Sequence, residues 1–290
     1  MIRSSLIFVM PQDTLPHRSD PCRIDLDAVL DAKLGSKARW VPQFAIDWLK
    51  RTVHQEELNE ILSRYPGVEG AEFCDAMLRE FGLDIEVRYP CGVPDKDDRR
   101  VIIVSNHPLG GLDGIALISW ATKFYGVEPR FVVNDILMAV KPLRRVFIPV
   151  NKHGAQSRES LKALDEEMAG DRPIIIFPAG LVSRMRSGGE IRDLKWNKMF
   201  VTKALQFHRD VVPVHFGGHN SDFFYKLALW RKRLFVPFNI EMLYLPDELM
   251  RSRSKHFTVT VCSTIGRQAF TGERPAAAAK KIKHLVYSLN

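Results

Sequence analysis

Val101-Ile102-Ile103-Val104-Ser105-Asn106-His107-Pro108-Leu109-Gly110-Gly111-Leu112-Asp113 is the stretch on which the fold turns. A short β-branched run bounded by turn residues reads as a buried strand. The Gly110–Gly111 pair allows a sharp reversal without Cβ clashes, and Asp113 suits the first turn of a helix, where the dipole favours a carboxylate. The same alternation continues outward. Further β-rich runs fall at 85–89, 131–133, 146–150, 173–177, 211–216, 240–245 and 257–262, with helical patterns at 113–125, 157–169, 193–208, 221–233 and 276–288. Strands alternating with helices predict an α/β fold: a mostly parallel central sheet flanked by helices. Upstream, Val41, Phe44, Trp48 and Leu49, then Leu58, Ile61 and Leu62, then Phe73, Met77, Leu78 and Phe81 recur at helical spacing. The chain therefore divides into a loosely ordered tail at 1–24, an N-terminal helical segment at 25–82, and an α/β domain at 83–290.

The 290 residues are 46% apolar and 26% charged, which excludes wholesale disorder. Apolar runs such as 6–10 and 174–177 fall far short of the roughly 20 residues a bilayer span requires. The opening segment is too short for a signal peptide, so a cytoplasmic location is expected. Cys22, Cys74, Cys91 and Cys262 form no C-x-x-C pair, which argues for reduced, packed thiols rather than a zinc site. A net charge of +8 fits an anionic lipid surface, an acidic carrier or nucleic acid. Lys and Arg are spread along the chain without a recognisable nucleic-acid-binding motif, which disfavours the last.

Ligands of open α/β sheets sit at the carboxyl ends of strands. Three such ends carry unusual chemistry, at 105–113, 150–157 and 177–186. A carboxylate returned beside an imidazole can hold its Nδ1–H and leave Nε2 as a base. His107 and Asp113 are accordingly the candidate catalytic pair; the plainer alternative makes Asp113 a helix cap and His107 a loop histidine. Amide groups around Gly110–Gly114 are candidate donors to a developing oxyanion. His215 and His219 have a metal-like spacing, but Gly217 and Gly218 interrupt any helix between them, so no metal is expected. The absence of a G-x-S-x-G elbow argues against a serine hydrolase. Two aromatic, basic stretches could face lipid: Trp40, Phe44 and Trp48 with Lys50 and Arg51, and Phe223–Trp230 with Lys226 and Arg231–Arg233. Core packing is the alternative for the second.

Asn106-His107 followed by Asp113 resembles the Asn-His-(four residues)-Asp signature of the glycerolipid acyltransferase superfamily, of the lysophosphatidic acid acyltransferase type. Val146-Phe147-Ile148-Pro149-Val150, Phe177-Pro178-Ala179-Gly180 and Val211-Val212-Pro213-Val214 resemble its next three blocks, in order. The fuller strings Asn-His-Pro-Leu-Gly-Gly-Leu-Asp-Gly and Phe-Pro-Ala-Gly-Leu-Val-Ser-Arg are similar to a bacterial, hemolysin-like branch that includes lyso-aminolipid O-acyltransferases. The resemblance implies transfer of a fatty acyl group from acyl-carrier protein or acyl-coenzyme A to a lysolipid hydroxyl. It implies His107 as general base assisted by Asp113, no resident cofactor, and a peripheral place on the inner face of the cell membrane. It also implies substrate contacts from Asn106, Gly110, Gly111, Asn151, Lys152, Phe177, Pro178, Ala179, Gly180 and Arg184.

The departures bear on the acceptor. Five residues, not four, separate His107 from Asp113, and the double glycine can absorb the extra one as a bulge. Ala179 stands where the family has Glu, and Val182 where it has an Arg implied to hold the acceptor phosphate; Arg184 follows two residues later. A phosphomonoester is best held by an arginine fork. Its loss favours a lyso-aminolipid, with lysophosphatidic acid as the alternative acceptor should Arg184 substitute from its shifted position.

Overall fold

The computed structural model describes residues 23–150, 156–186, 188–236 and 238–289. Most of the expected tail, and Asn151 and Lys152, lie outside the described residues.

Among the described residues four helices come first: α1 (Leu26–Leu34), α2 (Gln43–Thr52), α3 (Gln55–Ser63) and α4 (Gly70–Glu80), with a 3-10 turn at Gly35–Trp40. The α/β part follows as β1 (Asp84–Arg88), β2 (Val101–Ser105), α5 (Leu112–Tyr125), β3 (Arg130–Val133), β4 (Phe147–Pro149), α6 (Gln156–Ala169) and β5 (Ile174–Ile176). A two-stranded hairpin, β6 (Arg184–Met185) and β7 (Ile191–Arg192), precedes α7 (Met199–Gln206), β8 (Asp210–Phe216), α8 (Asp222–Arg233), α9 (Leu245–Met250), β9 (His256–Val261) and α10 (Pro275–Ser288).

The main sheet has the order β1-β9-β8-β2-β5-β3-β4. Every pairing in it is parallel except β8 with β9. Strand β2 is central and wholly buried, so its side chains alternate between two cores. Val101 and Ile103 join α4 and α5 on one face, with Cys74, Met77, Leu117 and Ile118. Ile102 and Val104 join the other, with Leu164 and Met168 of α6, Phe200 of α7 and Ile282 of α10. Each fully buried aliphatic side chain contributes about 1.5–3 kcal/mol, so this two-sided strand anchors whatever is mounted on its end.

Two sequence expectations are corrected. The run 240–245 is not a strand: Ile240–Tyr244 forms a 3-10 turn leading into α9. Pro246 favours a helix start at its position, and Glu241 is buried between Arg184 and Arg231 rather than pointing outward as in an alternating strand. The helix expected from 193 begins only at Met199, because Asp193 and Trp196 turn inward and bond to each other. The hairpin was not anticipated, although Gly188 and Gly189, both with positive φ, mark its turn.

Candidate active site

The loop leaving β2 is tied down residue by residue. Asn106 is buried, and its amide makes both bonds of a strand neighbour to Phe216 at the end of β8: Oδ1 accepts from the Phe216 N–H at 2.7 Å and Nδ2 donates to its carbonyl at 2.9 Å. The next residue is thereby placed at the carboxyl end of the sheet. His107 Nδ1 lies 2.9 Å from Asp113 Oδ2, and its ring stacks on Phe177 with centroids 4.1 Å apart and planes 18° apart. A carboxylate can take only a hydrogen bond donated by the ring, so the Nδ1–H tautomer follows and Nε2 carries the free lone pair.

The extra residue is absorbed as a bulge. Gly110 has φ +97°, in the left-handed region that favours glycine. The turn aims the Leu109 and Gly110 amides at Asp113 Oδ2 (3.0 and 3.3 Å), while the Gly114 amide donates to Oδ1 at 3.0 Å. Asp113 is fully buried. Burial alone would push its carboxyl up, but the His107 ring and the Leu109 and Gly110 amides outweigh that and hold it below the usual carboxylate range. The Gly110 and Gly114 amides are therefore spent on Asp113, which removes them from the donors expected for an oxyanion.

His107 lines a cavity of about 440 Å³ with mostly apolar walls, including Phe73, Met77, Ile118, Phe131, Val182 and Leu245. Gly110, Gly111, Phe177 and Gly180 also line it; Asn106, Pro178, Ala179 and Arg184 do not. Ala179 packs toward the second core instead. Arg184 is committed elsewhere: it donates to the Val182 carbonyl (2.7 Å) and to buried Glu241 (3.0 Å), whose other oxygen accepts from Arg231 (2.9 Å). Burial pulls the Arg184 guanidinium down from its ordinary range, with the Arg231 charge adding to that and Glu241 opposing it. The cations on the cavity wall, among the described residues, are Arg23 and Lys141, and neither sits in a motif or spacing that marks it in the sequence.

The sequence model of a family described as acyltransferase matches residues 28–280. The chain belongs to the acyltransferase family. This acyltransferase is 45% identical over 267 residues to a lyso-glycine lipid O-acyltransferase of Phocaeicola vulgatus, covering 92% of this chain and 95% of the relative. It is 42% identical to a lyso-glycine lipid O-acyltransferase of Bacteroides thetaiotaomicron, covering 92% and 97%. The crystal structure of the 1-acyl-sn-glycerophosphate (LPA) acyltransferase PlsC from Thermotoga maritima is 16% identical with a TM-score of 0.43, over 85% of this chain and 97% of that one.

The acyltransferase also exposes two aromatic surfaces. Trp40 (77% exposed) closes the 3-10 turn and Phe44 (74%) lies in the first turn of α2, so the helical face expected to carry both is interrupted at Val41–Pro42. Helix α8 divides its aromatic residues: Phe224 and Tyr225 are buried, while Phe223 and Trp230 are exposed, as are Leu234 and Phe235 just beyond it. Tyr244 joins the two surfaces, packing edge-on against Trp48 (6.2 Å) and Phe223 (4.9 Å). No helix among the described residues is long and apolar enough to cross a membrane.

Proposed function

We propose that this acyltransferase moves a fatty acyl group from a carrier-protein or coenzyme A thioester to the hydroxyl of a lyso-aminolipid, with a lyso-glycine lipid as the acceptor of choice. The observation that carries the reading is the 2.9 Å contact between His107 and buried Asp113 at the wall of an apolar cavity. In the reaction, His107 Nε2 takes the acceptor hydroxyl proton while that oxygen bonds to the thioester carbonyl carbon. The carbon–sulfur bond then breaks, and the thiolate recovers the proton. Asp113 stabilises the imidazolium formed between these steps. Such general-base assistance contributes about 10²–10⁴-fold, and substrate positioning must contribute the greater share.

The acceptor reading rests on charge. A phosphomonoester carries close to two negative charges and suits an arginine fork, yet Val182 is buried where the family keeps its Arg and Arg184 is paired with Glu241. A glycine headgroup presents one carboxylate, which Lys141 or Arg23 on the cavity wall can match singly. The names of the two relatives agree with this choice. Exposed Trp40, Phe44, Trp230 and Phe235 beside Arg39, Lys50, Arg51, Lys232 and Arg233 support a peripheral position on an anionic, cytoplasmic membrane face.

The test is turnover in mixed micelles on lyso-glycine lipid, lyso-ornithine lipid and lysophosphatidic acid, each with acyl-carrier protein and coenzyme A donors. Lyso-glycine lipid should be used at least about tenfold faster than lysophosphatidic acid, with His107→Ala and Asp113→Asn each losing about 10²-fold or more while remaining folded. Faster use of lysophosphatidic acid, lost in Arg184→Ala, would overturn the acceptor assignment. Retained activity in His107→Ala would overturn the base.

A further inference from the structure

A second buried carboxylate touches the base, and the chemistry above does not use it. Asp193 follows β7, is 1% exposed and is absent from the cavity wall. Its Oδ1 accepts the His107 main-chain N–H at 3.2 Å and the Ser183 hydroxyl at 2.5 Å, and its Oδ2 accepts the Trp196 indole N–H at 2.7 Å. The cations that reach Asp193 bind its main chain instead: Lys283 Nζ donates to its carbonyl at 2.7 Å, and Arg186 more loosely at 3.4 Å. Among the described ion pairs, none includes this carboxylate. Burying a carboxylate without a paired cation costs several kcal/mol unless its lone pairs are filled. Here they are filled by neutral donors, one of which is the peptide group of the base, and the Tyr287 hydroxyl closes the same node, accepting the Asp193 main-chain N–H at 2.7 Å.

The contacts close a ring around one residue. The His107 N–H goes to Asp193, the His107 carbonyl accepts the Ser183 N–H at 2.7 Å, and the Ser183 hydroxyl returns to the same Asp193 oxygen. Both polar groups of the His107 main chain are thus fixed by residues flanking the β6–β7 hairpin. Asp113 and Phe177 fix the imidazole itself. Neither restraint replaces the other: Asp113 can set ring rotation only if the Cα from which the ring hangs is already in place. We infer that Asp193 is a positioning residue for the general base, holding the His107 main chain so that the imidazole meets both Asp113 and the acceptor.

Trp196 supplies the control, because it bonds the same carboxylate without touching His107. Asp193→Ala should lower kcat by about 100-fold, the size of effect that follows a misplacement of about 1 Å, with KM for both substrates within about twofold. Trp196→Phe disturbs the same buried node and should lower the melting temperature while leaving kcat within about twofold. Should Asp193→Ala fail to fold, Asp193→Asn keeps the shape but leaves one acceptor oxygen among several donors, and an intermediate loss of kcat is expected. The inference rests on His107 being the base, so a second measurement stands apart from turnover. In protein labelled with ¹⁵N-histidine, the His107 Nδ1–H resonance should move in the Asp193 variants and stay in place in Trp196→Phe. A wild type without transfer activity would sink the proposed reaction and leave this resonance to decide the role of Asp193. Equal loss of kcat in Trp196→Phe and Asp193→Ala, or an unmoved His107 resonance in the latter, would overturn the positioning role.

Discussion

Gly110 and Gly111 are indistinguishable as letters, yet the fold treats them differently. A Cβ on Gly110 would sit 2.8 Å from both Leu245 methyls and 3.2 Å from Val182 Cγ2, on a backbone with φ +97°. At Gly111 φ is −118°, and no atom lies within 4 Å of such a Cβ. Gly110→Ala should therefore lower activity by at least about tenfold and cost about 1–3 kcal/mol of backbone strain, because the bulge that aims two amides at Asp113 would open. Gly111→Ala should stay within about twofold of wild type in activity; steady-state kinetics with thermal melts of both variants would check the contrast. The pairing of His107 with Asp113 was legible from their types and spacing. The roles of Asn106 and Arg184 were not. Both are polar residues near a strand end, and only tertiary contact reveals that one completes the sheet and the other neutralises a buried glutamate.

Between elements, a histidine ties the turn between α2 and α3 to α9, whose Leu245, Pro246 and Leu249 line the cavity. His54, in the left-handed region between α2 and α3, places Nε2 3.0 Å from Asp247 of α9 and Nδ1 against Glu57. Desolvation pulls its pKa down, but the bonds to Asp247 and Glu57 outweigh that and raise it above 6.5. A raised histidine contributes stability fully below its unfolded pKa and loses it as pH rises through the folded one. Asp247, whose carboxyl is lowered, contributes above its unfolded pKa and loses that as pH falls through the lowered value. Melting temperature should therefore decline as pH climbs from 6.5 through the raised His54 value, and His54→Asn, which tolerates the left-handed backbone, should flatten that decline. The exposed ring pair is predicted to matter at membranes: Trp40→Ser with Phe44→Ser should weaken sedimentation with anionic vesicles while leaving the melting temperature within a few degrees. Collapse of stability with binding intact would make that face structural. Most helices and strands were legible from periodicity; the 240–245 run failed because an apolar sequence gives way to a buried ion pair and a proline-started helix. Arg209 was equally hidden. It looks like one more basic residue, yet it is wholly buried and donates to five main-chain carbonyls, of Val101, Glu167, Met168, Gly170 and Arg172. Burial, with repulsion from Arg100, pushes it down to about 10.

Over the whole molecule, the sheet's order was beyond reading from the sequence, since periodicity names strands but not their neighbours. Its outcome is that β1 has β9 as its partner in the sheet, with Asp84 against His256 and Arg88 against Thr260. That pairing carries a consequence for synthesis. A ribosome adding about 5–20 residues per second makes β9 on the order of ten to thirty seconds after β1. Throughout that interval both edges of β1 lack a partner, whereas in the finished sheet, where β1 is the outer strand, only one does; unpaired edges are the situation most prone to mispairing with other chains. Its sequence answers the hazard: Asp84, Glu86 and Arg88 alternate with Ile85 and Val87, so every second side chain carries a charge. Such charges flanking a hydrophobic strand act as gatekeepers against aggregation. Replacing Glu86 and Arg88 with Val should change the melting temperature of purified protein by no more than a few degrees, yet raise the insoluble fraction severalfold in cell-free translation without chaperones. Equal solubility of the two nascent chains would mean that the helices ahead of β1 already shield it. Otherwise, the charges on β1 serve the half-made chain, with both strand edges open, as well as the finished sheet, with one.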